Sequence, residues 1–241
     1  MNGLFVTGTS TGVGKTYVTC AIARELRRRG TSVGAYKPVC SGSERSPGGE
    51  FWPDVARLAD ALDRRFEDAW ISPQRFSAAL APPAAARREG RSVDRELLRS
   101  GIARWRNAVD VLLVEGVGGW LSPIAEGATV ADFAREIGFP VLIVVGLELG
   151  AVNHTLLTAE SVARCGLPIA GIIANRHRPD VDGVVAEETL AGIAAQTSIP
   201  LLGSVAFADE GELRPAGPFR KIDWLQLAGP VGPCVEGGDG V

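Results

Sequence analysis

Two stretches in the middle of the chain are apolar without alternation, Val111-Leu112-Leu113-Val114 and Val141-Leu142-Ile143-Val144-Val145. A strand with one wet face alternates apolar and polar residues. A strand that stays apolar throughout must be covered on both faces. These runs lie in VDVLLVEG (109–116) and PVLIVVG (140–146), and Leu4-Phe5-Val6, Ser32 to Tyr36, LPIAGIIAN (167–175) and IPLLGSV (199–205) complete the series. Helical patterns fall between them. One runs from Thr16 to Arg29 and is stopped by Gly30, Pro53 with Asp54 opens another, apolar residues recur at helical spacing over 94–107, and a helix runs from about Gly150 to Arg164. Strands alternating with helices predict an α/β fold, a mostly parallel sheet covered by helices on both faces. At 241 residues and 46% apolar content, one domain accommodates the whole pattern. That domain is expected over 1–226. Polar SGSERSPGGE (41–50) reads as a loop, and the Gly/Pro-rich end, 227–241, reads as a disordered tail with little to bury.

Charge and cysteine usage exclude several classes. A net charge of -3 leaves no basic footprint, so neither nucleic acid nor an anionic membrane is an expected partner. No apolar run approaches the roughly 20 residues of a membrane span, and Met1 leads into a short apolar strand without a basic leader. The expectation is a cytoplasmic protein. Cys20, Cys40, Cys165 and Cys234 are scattered without a C-x-x-C pair, which fits reduced thiols better than disulfides or a zinc site.

The chemistry begins at GTSTGVGKT (8–16). A phosphate loop usually reads G-x-x-x-x-G-K-[ST], and here the first glycine sits one step early, at Gly8 rather than position 9. The segment still lies between a strand and a helix, at the carboxyl edge of the sheet where such folds bind ligands. Gly12 and Gly14 let backbone N–H groups approach phosphate oxygens, and the helix start adds partial positive charge. Lys15 would reach the β- and γ-phosphates, and Thr16 would offer its hydroxyl to Mg²⁺. The expectation is therefore a P-loop NTPase-like, nucleotide-binding domain. Ser10 stands where partitioning-type ATPases carry an extra lysine, which argues against that kind of nucleotide switch.

Other residues stand out by position. Glu115 ends a buried strand, where a carboxylate is placed to hold Mg²⁺, and Gly116, Gly118 and Gly119 let backbone pass close to a ligand. Asp54 serves either as an acid favoured by the helix dipole or as a metal ligand. Gly150-Ala151-Val152-Asn153 opens a helix and offers free N–H groups to an anion, although Asn153 is also a good cap. Asn175 ends a strand with an amide that could read adenine at N6 and N7. Most basic residues are arginine, yet lysines stand at 15 and 37, both at the expected carboxyl edge.

Five segments, GTSTGVGKT (8–16), YKPVCSGSE (36–44), LLVEGVGGWLSPI (112–124), GLELGAVNHTLLTAESV (146–162) and GIIAN (171–175), occur together and in order. In these the chain resembles the dethiobiotin synthetases, ATP-dependent cyclic ligases of biotin synthesis. The resemblance implies that 7,8-diaminononanoate, CO₂ or bicarbonate and ATP are joined into dethiobiotin, ADP and phosphate. It implies catalytic roles for Lys37, Lys15, Thr11 and Ser41, and a magnesium site of Thr16, Asp54 and Glu115. Nucleotide contacts would come from Gly12, Val13, Gly14, Lys15, Thr16, Tyr17, Asp54, Glu115, Gly116, Gly118, Asn175 and Phe207. The diamine would meet Ser41, Gly118 and, from a second subunit, Gly150, Ala151, Val152 and Asn153, so the active site would lie at a homodimer interface. A corrinoid amidoligase, the other related activity, usually adds an amidotransferase domain for which this chain is too short.

The match departs from the family around the base. Val205-Ala206-Phe207 replaces a Pro-Trp-like segment, Arg176 stands where aspartate is common, and Pro83 stands where some members have histidine. Glu210 or Glu212 is the candidate for an acidic contact to the nucleotide.

Overall fold

The computed structural model describes residues 1–207 and 218–230. The principal elements are β1 (Asn2–Gly8), α1 (Lys15–Arg28), β2 (Val33–Tyr36), α2 (Pro53–Ala61), α3 (Arg95–Ala103), β3 (Val111–Glu115), α4 (Val130–Ile137), β4 (Val141–Gly146), α5 (Ala151–Arg164), β5 (Ile169–Asn175), α6 (Gly183–Gln196) and β6 (Leu201–Val205). The strands lie in the order β6-β5-β4-β1-β3-β2, and every neighbouring pair is parallel. Every residue of β3 and β4 is buried, as expected of strands covered on both faces. The chain leaves β1 for the edge strand β2, returns to β3 beside β1, then crosses to β4 on the other side. The carboxyl ends of β2, β3 and β1 therefore lie side by side.

The helices differ in how they begin. Asp94 caps α3 by accepting from the Leu97 N–H at 3.0 Å, and Thr129 with Asp132 forms a reciprocal capping box on α4. Both α1 and α5 instead start from a glycine in the left-handed region, Gly14 at φ 91° and Gly150 at φ 90°, with no side-chain cap. The first N–H groups of α1 are left for something else to satisfy, whereas in α5 the Ala151 N–H already bonds the Glu148 carbonyl at 3.1 Å.

Two readings need correction. Residues 41–50 are not a plain loop: Glu44–Ser46 and Gly49–Phe51 pair as an exposed antiparallel hairpin. Pro47-Gly48 makes the two-residue turn, and Gly49 adopts φ 109°, so turn chemistry pairs strands that bury almost nothing. At the other end, Gly229–Pro230 adds a short antiparallel strand against Asn2 and Gly3, four residues past the boundary drawn at 226. Trp224 anchors this return: it is buried, stacks on Phe219 and donates its indole N–H to the Phe219 carbonyl at 2.9 Å. Residues 231–241, with most of the expected tail, lie outside the described residues, as do Glu210 and Glu212. No described helix is long and apolar enough to cross a membrane.

Glu25 joins α1 to this C-terminal return. It is buried, accepts two hydrogen bonds from Arg28 and one from Arg29, and Arg29 donates onward to the Arg220 carbonyl at 2.6 Å. The Arg28 guanidinium, with Arg29 beside it, overcomes burial and holds the Glu25 carboxyl down at about 2. Because its folded value lies below its unfolded one, its stabilisation is complete above the ordinary carboxylate range and fades as pH falls toward about 2. Glu25→Gln should therefore cost about 1–3 kcal/mol at pH 7 and much less at pH 3, read by urea unfolding at the two pH values. An equal loss at both would show that packing, not charge, accounts for the residue.

Candidate functional site

The loop after β1 shows why its glycine sits early. A Cβ on Gly8 would lie 2.7 Å from a Val13 methyl, so the last residue of β1 must be bare for the loop to fold over it. Gly12 and Gly14 both adopt positive φ, at 77° and 91°. Lys15 is buried and its ammonium folds back onto the Ser10 carbonyl at 3.0 Å. Asn175, at the end of β5, donates its amide to the Val13 carbonyl at 2.9 Å, tying the sheet to the loop. A Cβ on Gly14 would approach that amide nitrogen to 2.0 Å.

Beside the loop, two strand ends and two helix starts converge on one cluster. Lys37 follows β2, Glu115 ends β3, Thr16 is the second residue of α1 and Asp54 lies in the first turn of α2. The Lys37 ammonium sits 2.6 Å from Asp54 Oδ2 and 2.6 Å from Glu115 Oε1. Thr16 Oγ1 donates to the same Glu115 oxygen, also at 2.6 Å. The other oxygen, Glu115 Oε2, is buried without a partner.

Charge explains the titration of these groups. Burial opposes the Lys37 ammonium, but Glu115 and Asp54 more than offset it and raise its pKa. Burial likewise pushes Asp54 up, and the Lys37 charge outweighs it and holds the carboxyl below its ordinary value. Lys15 is brought down to about 8 by burial and then by Lys37, against the pull of Glu115 and Asp54. Burial pushes Cys20 up to about 12 and Cys40 up to about 11, so neither neighbouring thiol is poised as a nucleophile.

The donors here are one hydroxyl and two carboxylates. Among the described residues no group of three or more His, Cys, Asp or Glu side chains could hold a metal by itself. Oxygen donors too few to form a cage suit a hard cation that shares its shell with phosphates and water, and the orphaned Glu115 oxygen is a ready ligand. The residues fit magnesium.

The glycine segment after β3 lies against the phosphate loop. Gly119 N–H donates to Ser122 Oγ at 2.7 Å, and a Cβ on Gly118, at φ 68°, would come within 2.4 Å of that oxygen and 3.5 Å of Thr11 Oγ1. Gly116 packs on Val130. Thr11 is exposed, and half-buried Ser41 donates to the Leu80 carbonyl at 2.6 Å. Tyr17 is half-buried and Phe207 is exposed at the end of β6. The structure does not bring Gly150, Ala151, Val152 and Asn153 to the Lys37 cluster: their described hydrogen bonds stay within α5 and the loop before it. Asn153 does not cap the helix, since Gly150 holds that position. A cavity of about 490 Å³ separates α5, at His154, Leu157, Thr158 and Ser161, from Thr9 and the Gly119–Pro123 turn.

His177 has no sequence neighbours that suggest a role. The structure packs it on Gly146, where a Cβ would lie 2.7 Å from the imidazole, and places it 3.8 Å from Glu148, which also faces Arg178 at 3.5 Å. A glycine ending an otherwise bulky strand, VLIVVG, was the available signal.

A parallel sheet whose first strand feeds an uncapped, glycine-started helix, with lysines and oxygen donors at the adjoining strand ends, defines a P-loop nucleotide-dependent protein. The model of a family described as AAA domain matches residues 2–210. The ATP-dependent dethiobiotin synthetase BioD of Nitrosospira multiformis is 37% identical over 212 residues, covering 88% of this chain and 91% of that one. That of Aromatoleum aromaticum is 40% identical over 207 residues, covering 83% and 88%. The chain belongs to the dethiobiotin synthetase family. In fold alone it is similar to a ParA family ATPase from Chlorobium tepidum, with a TM-score of 0.54 at 16% identity, covering 91% and 94% of the two chains.

Gly14→Ala tests the loop geometry. The new methyl must displace the Asn175 amide and hold a left-handed backbone, a strain of roughly 1 kcal/mol even before the collision. ATP affinity should fall by more than roughly tenfold by calorimetry, with circular dichroism unchanged. Wild-type affinity would show that the loop does not depend on that contact.

Proposed function

We propose that this protein is an ATP-dependent dethiobiotin synthase acting in the cytoplasm, which converts 7,8-diaminononanoate, CO₂ and ATP into dethiobiotin, ADP and phosphate. The observation that carries the reading is the buried Lys37 ammonium beside a phosphate loop, in a chain alike over most of its length to dethiobiotin synthetases. Whether the carbon enters as CO₂ or as bicarbonate, the first covalent product is the same carbamate.

One amine of the diamine attacks CO₂, a nitrogen–carbon bond forms and a proton leaves. A carbamate oxygen then attacks the γ-phosphorus of ATP, giving a carbamic-phosphoric anhydride and releasing ADP. The second amine attacks the carbonyl carbon, phosphate departs and the cyclic urea closes. Each step needs positioning and stabilisation of growing negative charge more than acid–base chemistry. The N–H groups of Gly12, Val13 and Gly14 and the start of α1 cradle the phosphates, with Lys15 along the β- and γ-positions. Lys37 faces the carbamate and the transferring phosphoryl group. Thr16, Asp54 and Glu115 would hold a magnesium ion, which supplies charge neutralisation on the nucleotide phosphates. Asn175 reads the adenine edge, and Tyr17, Gly116, Gly118 and Phe207 line the nucleotide. Thr11, Ser41 and Gly118 orient the diamine end.

The substrate's distant carboxylate is taken by the first turn of α5 from a second copy of the chain, Gly150 to Asn153, whose N–H groups lack a side-chain cap. Support for a homodimer comes from the apolar residues around that helix. Leu149, Leu121 and Leu157 are exposed by 92%, 62% and 57%, a concentration that an isolated subunit has little reason to keep. Leu157→Asp should convert the protein to monomers by analytical ultracentrifugation and raise the KM for the diamine. A variant that stays dimeric would remove this face from the interface.

The function is tested by measuring phosphate release from MgATP and bicarbonate with and without 7,8-diaminononanoate, with mass spectrometry of the product. Diamine-dependent release yielding a cyclic urea is expected, and ATP binding without diamine-dependent turnover would refute the ligase assignment. Lys37→Ala should lower turnover by roughly a hundredfold or more while ATP affinity stays within a few fold of wild type. Full activity in that variant would remove Lys37 from the mechanism.

A further inference from the structure

The Lys37 ammonium occupies the position a metal would need. It bridges Asp54 Oδ2 and Glu115 Oε1 at 2.6 Å each, and Thr16 Oγ1 bonds the same Glu115 oxygen. A divalent cation bound by those groups at its usual distance of about 2.1 Å would share both oxygens with the ammonium. A dication and an ammonium cannot both sit between the same two carboxylates, because their repulsion at such separations is large and poorly screened in a buried site. Lys37 is only 5% exposed, whereas the Asp54 side chain is 35% exposed and offers the way in. The Lys37 backbone is fixed, its N–H bonded to the Ile71 carbonyl at 2.7 Å, so the long side chain is the part free to move. Glu115 Oε2, buried and unpartnered, is a ligand that the lysine leaves unused.

We infer that Lys37 is the resident counter-ion of the metal site, and that a divalent cation entering among Thr16, Asp54 and Glu115 expels its ammonium toward the reacting carbamate and γ-phosphate. The carboxylates thus hold the catalytic lysine in reserve, and metal entry both loads the site and releases that lysine. The inference rests on the magnesium reading given above. It gives Lys37 two partners in sequence, the carboxylates first and the substrate anion second. It also explains why two carboxylates can stand side by side in a buried site before any metal arrives.

The chain has three lysines, Lys15, Lys37 and Lys221, which makes the movement directly measurable. The exposed Lys221 serves as reference. Nucleotide-free protein is treated briefly with acetic anhydride, with and without Mn²⁺, and the Lys37 to Lys221 labelling ratio is read by peptide mass spectrometry. Mn²⁺ binding itself is followed by water-proton relaxation, in wild type and in Lys37→Met. The ratio should rise severalfold when Mn²⁺ binds, and Lys37→Met should take Mn²⁺ roughly tenfold more tightly because no ammonium competes. Mn²⁺ binding to Lys37→Met but not to wild type, even with a non-hydrolysable ATP analogue, overturns the inference, because the ammonium then excludes the metal instead of yielding to it. Mn²⁺ binding to wild type with unchanged Lys37 labelling overturns it and leaves the magnesium site standing. Failure of both proteins to bind Mn²⁺, even with a non-hydrolysable ATP analogue, removes the magnesium site and the inference with it.

Discussion

A buried positive charge between two carboxylates, Glu115 buried and Asp54 half-buried, is the constraint on which the rest of this structure turns. Removing two carboxylates and an ammonium from water is costly, and direct contact must offset most of that loss. The contact requires β2 and β3 to be neighbours with their carboxyl ends level, so that Lys37 meets Glu115, and requires α2 to start where Asp54 can close the other side. Pro53 at the first position of α2 fixes that start. Tyr36, immediately before Lys37, is buried and donates to the Leu98 carbonyl at 2.8 Å, which holds the end of β2 against α3. Sheet order, helix start and site electrostatics are therefore one problem with one solution.

The phosphate loop is held by different means. Among the described residues nothing charged pairs with Lys15 except through space, and its ammonium rests on a backbone carbonyl of its own loop. The loop is shaped by absent side chains, at Gly8, Gly12 and Gly14, and is tied to the sheet by the Asn175 amide. Gly8, not the position after it, must be bare because Val13 packs down on the end of β1. One half of the site is thus preorganised by ionic contact and the other by backbone geometry.

The parts legible in the sequence were those with a local signature. Unbroken Val, Ile and Leu runs gave the buried strands because a two-faced strand cannot alternate, and the loop, its lysine and its threonine announced themselves by spacing. The cluster of Lys37, Asp54 and Glu115 needed the order of strands, which no local pattern contains: positions 37 and 115 meet only because β2 and β3 are adjacent. His177 was opaque for the same reason, since its partner Gly146 lies on a neighbouring strand. The 44–51 hairpin was missed because its strands are exposed, so it carries turn chemistry without hydrophobic periodicity.

The likeness to a ParA family ATPase shows how little the scaffold itself decides. The two chains share a fold at 16% identity, and a shared fold does not fix what is done at its site. The outcome depends on where positive charge is put. The partitioning-type pattern carries an extra loop lysine. Here the equivalent position is Ser10, whose backbone carbonyl holds Lys15, and the second lysine is supplied by the adjoining strand, at Lys37. That charge stands at the strand edge, in contact with Asp54 and Glu115.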